Sequence, residues 1–280
     1  MDTSSLPLLS SKQMAAFVAH GFLRFDEIVP PDMAAAALDE LASGAGPAAW
    51  RADDPHASDA GRPLGTLWTR SPAIGPVLRL PRVAGLIHSL LGPGALYDHH
   101  YAHVIGPRQP WSQPWHADAV LDPRPLAFDI QLMFFFHDTP REMGGTMILP
   151  GSHLRRANEL EISRVQNFRG QLPTVCPAGT LIVIHHGIWH CGQPNRTDRA
   201  RTMFKVRLGP SGKQLRSWDV TDLDDPDVIR TLRHEHPFTG SQARLEIVNR
   251  IKLWRCLTGD PTFDIDYWLG RMGEHAPAGR

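Results

Sequence analysis

The sequence predicts a mainly β fold with flanking helices, a two-sheet β-sandwich or jelly roll, on three observations. Between about residues 96 and 209 the chain breaks into short apolar runs separated by Gly, Pro and Asn, the pattern of strands joined by turns. Several of those runs are too apolar for one face to meet water, which requires a packed layer on both sides. Helical periodicity is confined to the stretches before and after them.

Taken in order, Ser11 is a candidate cap for a helix whose apolar positions Met14, Phe17 and Val18 share one face and which ends near Gly21. Phe22 to Phe25 reads as a short strand, and Pro31 with Asp32 opens an alanine-rich helix that stops by Gly44. Residues 45–66, rich in Gly, Ala, Pro and Asp, read as a surface loop. A short helix follows over about Val83 to Leu91, punctuated by Gly92-Pro93-Gly94. Strands are then expected at Leu96 to Ile105, Phe128 to His137, Thr146 to Leu149, Thr180 to His185 and Arg201 to Leu208. Beyond Pro210, Asp225 to His234 and Leu245 to Leu257 carry amphipathic helical patterns, the second burying Ile247, Ile251, Trp254 and Leu257. Such a tail can pack on the core, cover a site or meet a second subunit, and the first is the commonest.

At 280 residues the chain fits one domain over 1–280, with a helical flank of about 1–95, a β core of about 96–209 and a helical extension of about 210–280. It carries 29 basic and 29 acidic residues in no long single-sign block, so nothing resembles the basic footprint of a nucleic-acid or anionic-membrane binder. A small-molecule substrate is the better expectation; the oligomeric state is not legible. Met1 to Gln13 lacks the charged region and apolar run of a signal peptide, and no stretch approaches 18 uninterrupted apolar residues, so a cytoplasmic protein is expected. Cys176, Cys191 and Cys256 are odd in number and widely spaced, which fits neither a disulfide framework nor a zinc cluster. Cys191 adjoins a candidate metal ligand, but alternation along that segment turns it away.

The chemistry concentrates in Trp115-His116-Ala117-Asp118, in His186-Gly187-Ile188-Trp189-His190, and in Arg201, eleven positions beyond His190. Two imidazoles and one carboxylate are the donor set of non-haem Fe(II) oxygenases, which leave coordination positions open. If the first segment is extended, His116 and Asp118 point to one face and can grip one ion. Singly, each is as well explained as a core histidine or a turn residue, and with 15 histidines and 29 acidic residues an isolated His-x-Asp arises by chance. His185 and His186 compete with His190, since His186 and His190 stand at i and i+4 and would pair on a helix; the Gly179-to-Ile184 run favours a strand instead.

Together with Gly144-Gly145-Thr146-Met147-Ile148-Leu149-Pro150-Gly151-Ser152-His153 and His190-Cys191-Gly192-Gln193-Pro194-Asn195, these segments resemble the phytanoyl-CoA dioxygenase family over roughly residues 10–210. The resemblance implies a double-stranded β-helix (jelly roll, cupin-like) and a 2-oxoglutarate-dependent non-haem iron dioxygenase. It further implies Fe(II) held by His116, Asp118 and His190, with 2-oxoglutarate as co-substrate and O₂ as oxidant. The expected reaction is hydroxylation of an unactivated C–H bond, with decarboxylation of 2-oxoglutarate to succinate and CO₂. Desaturation, cyclisation, epimerisation or peroxide formation in natural-product biosynthesis is the alternative, and a non-catalytic 2-oxoglutarate or metal-binding module is a rival of another class.

In this reading Arg201 anchors the distal carboxylate of 2-oxoglutarate, because a guanidinium can bind it bidentately and stays charged when partly buried. Arg199 shares its strand parity, so only the eleven-residue interval separates the two. Gln131 is a candidate donor to the keto-acid end, and Thr146 a weaker one. Family members often carry a hydroxyl two residues after the distal histidine, where this chain has Gly192. Gly144-Gly145 and Pro150-Gly151 are expected at sharp turns with positive φ, and His153 as a packing residue. Trp111, Trp115, Trp189 and Phe134-Phe135-Phe136 divide between core and pocket in no readable way.

Overall fold

The computed structural model describes residues 5–43, 71–118, 126–155 and 158–266, so the loop expected over 45–66 lies outside the described residues. Helix α1 (Ser11–His20) runs into strand β1 (Phe22–Phe25) through Gly21, which takes a left-handed conformation. The residue that caps α1 is Ser10, not Ser11: its side chain accepts from the backbone N–H of Gln13 while the Gln13 side chain accepts from the N–H of Ser10. That reciprocal capping box was readable as Ser-x-x-Gln. Ser11 is instead buried, accepting from Trp218 Nε1 at 3.0 Å and so tying α1 to the far end of the chain.

Helices α2 (Pro31–Ser43), α3 (Ile74–Leu78) and α4 (Pro81–Leu91) complete the amino-terminal flank. Pro81 opens α4 two residues before the expected start, as its fixed φ suits a first turn. The core strands are β2 (Leu96–Ile105), β3 (Ile130–Phe135), β4 (Thr146–Leu149), β5 (Leu172–Pro173), β6 (Thr180–His185), β7 (Trp189–Gly192) and β8 (Arg201–Gly209), with the short helix α5 (Glu159–Ile162) between β4 and β5. All strand pairs are antiparallel, in one five-stranded sheet ordered β1-β6-β3-β8-β2 and one three-stranded sheet ordered β5-β4-β7.

Alternation explains why β3 is buried on both sides. Ile130, Leu132 and Phe134, with Leu181 and Val183 of β6 and Phe204, Val206 and Leu208 of β8, pack against apolar residues of α1, α2 and α4. Met133 and Phe135, with Ile182, Ile184 and Met203, turn the other way onto Ile148 of the smaller sheet. The central strands therefore have helices on one face and the second sheet on the other, which is why their sequence runs are apolar throughout.

The carboxy-terminal helices α6 (Pro226–Leu232) and α7 (Gly240–Thr258) join the helix-side core through Val228, Leu232, Ile251, Trp254 and Leu257, so of the three possible roles for the tail the structure shows core packing. Val248 is buried where Ile247 was expected, and Ile247 is half-buried. No helix among the described residues is long and apolar enough to cross a membrane.

Candidate metal centre

His116, Asp118 and His190 converge, although not on the expected regular strand. Residues 111–118 are irregular, with one antiparallel bridge in which His116 exchanges backbone hydrogen bonds with His190 at 2.9 and 3.1 Å. Period-two alternation survives without a ladder: Trp115 and Ala117 are buried in a cluster with Leu149, Trp189 and Cys191, while His116 and Asp118 face the opposite way. His190 stands on β7, separated from β6 by a turn at His186-Gly187, so no helix pairs His186 with His190. Cys191 is turned away, as alternation requires.

The donor atoms are oriented. Nδ1 of His116 lies 2.9 Å from Pro114 O and Nδ1 of His190 lies 3.0 Å from Ile188 O, so in each ring the backbone engages Nδ1 and leaves Nε2 for a ligand. Those Nε2 atoms lie 3.6 and 3.7 Å from Oδ1 and Oδ2 of Asp118. Burial pushes the His190 imidazole down to about 4, so it is neutral at neutral pH. Burial alone would raise the Asp118 carboxyl, but His190, Lys205 and His116 around it, with the Gln131 amide, hold it below the usual carboxylate range. Two imidazoles and an ionised carboxylate within one ion's reach are a donor set for a divalent transition metal.

The surrounding wall comes from both sheets. His103 and Ile105 of β2, Gln131 and Met133 of β3, and Arg201, Met203 and Lys205 of β8 line it from the large sheet, and Thr146 and His190 from the small one. The register makes this possible, since Ile105 pairs with Arg201, His103 with Met203, and Met133 with Lys205. Arg201 is buried, donating from Nη1 to Met143 O at 2.9 Å and Gln193 O at 3.0 Å. Among the described residues no carboxylate lies within ion-pair distance of it. Burial pushes its guanidinium down only to about 10, so it stays charged. Arg199 is exposed and outside the strand, which decides between the two arginines in favour of Arg201 as the buried cation.

Gly144 makes room for that guanidinium. With φ of 92°, a Cβ there would lie 2.7 Å from Arg201 Nη1 and 2.4 Å from Pro194 O. Gly151, with φ 77° and ψ −4°, has the positive φ expected there and fits the third position of a type II turn. Gln131 is almost fully buried, and its amide donates to Asp118 Oδ2, so the side chain read as a donor to the keto-acid positions the carboxylate here. Thr146 is buried beside it in the pocket wall. His153 is a packing residue, its Nε2 3.2 Å from Val18 O, and His186 Nδ1 lies 2.8 Å from the backbone N and O of Asp129; neither joins the triad. Trp111 is exposed, while Trp115, Trp189 and the three phenylalanines are buried.

Lys205 was missed. Its ammonium lies 3.2 Å from Asp118 Oδ2, and His103 faces the same space with its imidazole pushed down to about 3 by burial and by Lys205. The signal was present in the alternation Arg201-x-Met203-x-Lys205, which puts all three on one face of β8.

A family model described as Phytanoyl-CoA dioxygenase (PhyH) matches residues 17–203. The uncharacterized protein Rv1501 of Mycobacterium tuberculosis (strain ATCC 25618 / H37Rv) is 26% identical over 177 residues, 60% of this chain and 63% of that protein. The chain thus spans less than two thirds of the length of the curated relatives it matches. Among solved structures, the fold is similar to the non-heme alpha ketoglutarate dependent epimerase SnoN from nogalamycin biosynthesis, at TM-score 0.54 and 17% identity over 72% of this chain and 83% of that one. It is also similar to EctD from S. alaskensis with 2-oxoglutarate and 5-hydroxyectoine, at TM-score 0.56 and 20% identity over 74% and 78%.

Proposed function

Since the chain belongs to the phytanoyl-CoA dioxygenase family, and with it to the 2-oxoglutarate-dependent non-haem iron oxygenases, we propose that His116, Asp118 and His190 hold Fe(II) and that Arg201 anchors 2-oxoglutarate. The two sheets then act as the double-stranded β-helix of such enzymes, with the metal between them. The observation that carries this reading is the shared wall: a buried guanidinium with no carboxylate partner among the described residues lines the same pocket as two oriented imidazoles, with the ionised Asp118 carboxylate beside both. A dicarboxylate satisfies both ends of that arrangement, one on the metal and one on Arg201.

Bound there, iron with 2-oxoglutarate and O₂ supplies the oxidising power, and the co-substrate leaves as succinate and CO₂. The protein's part is placement. Against burial, His190, Lys205 and His116 keep Asp118 ionised, and Lys205 and the Gln131 amide both donate to its Oδ2. The backbone carbonyls of Pro114 and Ile188 keep both imidazoles facing inward, and the apolar cluster around Trp115 and Trp189 closes the space behind them to water. Thr146 lines the same pocket and is the polar contact proposed for the co-substrate, while Gln131 acts through Asp118. The reaction is hydroxylation of an unactivated C–H bond of a small organic substrate.

Anaerobic Fe(II) with 2-oxoglutarate should give a weak visible charge-transfer band, lost in His116→Ala and in His190→Ala and kept in His186→Ala. Loss of the band only in His186→Ala would move the third ligand. With a substrate found by screening for succinate release, a product that gains one ¹⁸O atom from ¹⁸O₂ supports hydroxylation, and a product lighter by two hydrogens means desaturation.

A further inference from the structure

A second cluster of metal-binding side chains lies outside the site described above. His20 ends α1, and His234 and His236 lie in the connection between α6 and α7, 214 and 216 positions away in sequence. The ring centroids are 5.0 Å apart for His20 and His234, 5.4 Å for His20 and His236, and 4.8 Å for His234 and His236. All three pairs meet edge-on, at 75°, 85° and 70°, so the rings do not stack. One ring nitrogen from each lies within 4.8 Å of the other two.

Three features prepare these imidazoles for a cation. Nε2 of His236 lies 2.8 Å from Ala19 O; donating its proton there, it leaves the Nδ1 lone pair free, the arrangement that orients histidine ligands. Gly151 supports both sides of the cluster: its N–H donates to His20 O at 2.9 Å, and its missing side chain leaves room for His236, since a Cβ would lie 2.3 Å from that ring. Burial, with help from His234, pushes His20 down to about 4, and burial likewise holds His236 at about 4, so both rings are neutral at neutral pH. Arg250, whose charge helps to lower both rings, is paired with Glu246 at 2.6 Å, and its Nη1 donates to Leu232 O and His234 O.

We propose that His20, His234 and His236 form a second metal site that takes one divalent cation of the imidazole-preferring class, Zn²⁺ foremost, with solvent completing the shell on the exposed His234 side. The donor set carries the choice of metal. Among the described residues no carboxylate shares this cluster, whereas the other includes Asp118; three imidazole nitrogens suit Zn²⁺, Cu²⁺ or Ni²⁺, and a set that includes a carboxylate with open positions suits Fe(II). Zinc–nitrogen bonds of about 2.0–2.1 Å in tetrahedral geometry place ligand atoms about 3.4 Å apart. Nitrogens up to 4.8 Å apart must close by up to about 1.4 Å, through side-chain torsions of exposed His234 and of half-buried His20 and His236. The bound ion would clamp the end of the first helix to the carboxy-terminal extension, so it acts on stability and not on turnover. This inference is independent of the oxygenase reading.

The test is a count of metal on the full chain, stripped and then titrated with Zn²⁺ alone. The native protein should retain two zinc ions, His190→Ala one, His234→Ala one, and the double variant none. Zn²⁺ should raise the Tm of His190→Ala and leave that of the double variant unchanged, and Co²⁺ in His190→Ala should give the intense visible bands of a tetrahedral nitrogen site. His234 is exposed, so its substitution leaves the fold intact, and the native-to-His234→Ala comparison stands even if His190→Ala fails to fold. Equal zinc content in native protein and His234→Ala, or a Zn²⁺-induced Tm shift that survives in the double variant, overturns the site.

Discussion

At Arg201 a buried guanidinium donates, among the described residues, to two backbone carbonyls and to no carboxylate, and its unspent charge is what a co-substrate carboxylate would satisfy. Losing such a charge-assisted pair costs about 1.5–3 kcal/mol, or roughly ten- to a hundredfold in affinity. Arg201→Ala should raise the 2-oxoglutarate requirement by that factor while Fe(II) affinity stays nearly unchanged, and Arg199→Ala should do neither; titrating each component separately by the visible band distinguishes these outcomes. Gln131 acts at one remove. Its amide donates to Asp118 while its Oε1 is buried with no partner among the described residues, so Gln131→Leu removes an orienting bond without stranding a new polar group there. Fe(II) affinity should fall about ten- to a hundredfold with no loss of Tm. A Tm drop of equal size would make Gln131 a structural residue only.

At the scale of elements, the turn before β4 is the part of the scaffold that shapes the co-substrate site. Gly144 combines a positive φ with a Cβ position occupied by Arg201 and by the Pro194 carbonyl. Gly144→Ala therefore strains the backbone by about 1 kcal/mol or more and pushes the guanidinium off its seat. The expected result is a 2-oxoglutarate defect approaching that of Arg201→Ala, with the Fe(II)-only requirement unchanged. A variant that lost Tm yet kept the native 2-oxoglutarate requirement would show that the turn supports stability alone. The strand β8 makes the companion point, because one face of it carries Arg201, Met203 and Lys205 into the site while Phe204, Val206 and Leu208 fill the helix-side core.

For the whole molecule, buried neutral histidines set the acid limit. His20, His236 and His190 are held at about 4 and His103 at about 3, chiefly by burial, against about 6.5 in an unfolded chain. Between those values the unfolded state binds more protons than the folded one, so stability rises with pH there and is lost as pH falls from about 6.5 towards 4. The metal-free protein should melt at least about 5 °C lower at pH 5 than at pH 7.5, since a chain of this size loses roughly 2–4 °C per kcal/mol. A Tm that stays flat across that interval would mean these rings are protonated in the folded state.

Of the sheet, local chemistry made most strands legible: β1, β2, β4 and β6 have the expected bounds because apolar runs between turn residues need only neighbours on both faces, whichever they are. The candidate ligands were legible for a similar reason, as residue types and order along the chain survive without knowledge of the fold. What the sequence could not settle depends on contacts between distant segments. Trp189 to Gly192 forms a separate strand because it pairs with β4, and the segment at His116 is fixed by one bridge to His190 and not by a ladder of its own. Arg199 and Arg201 share parity, and only the depth of the strand start distinguishes the exposed one from the buried one. Lys205 reaches Asp118, and His20 reaches His234 and His236, across 87 and more than 200 residues. The sequence by itself determined which atoms can bind a metal, because that is covalent chemistry; only the tertiary structure decided which of them meet, because long-range packing sets those distances.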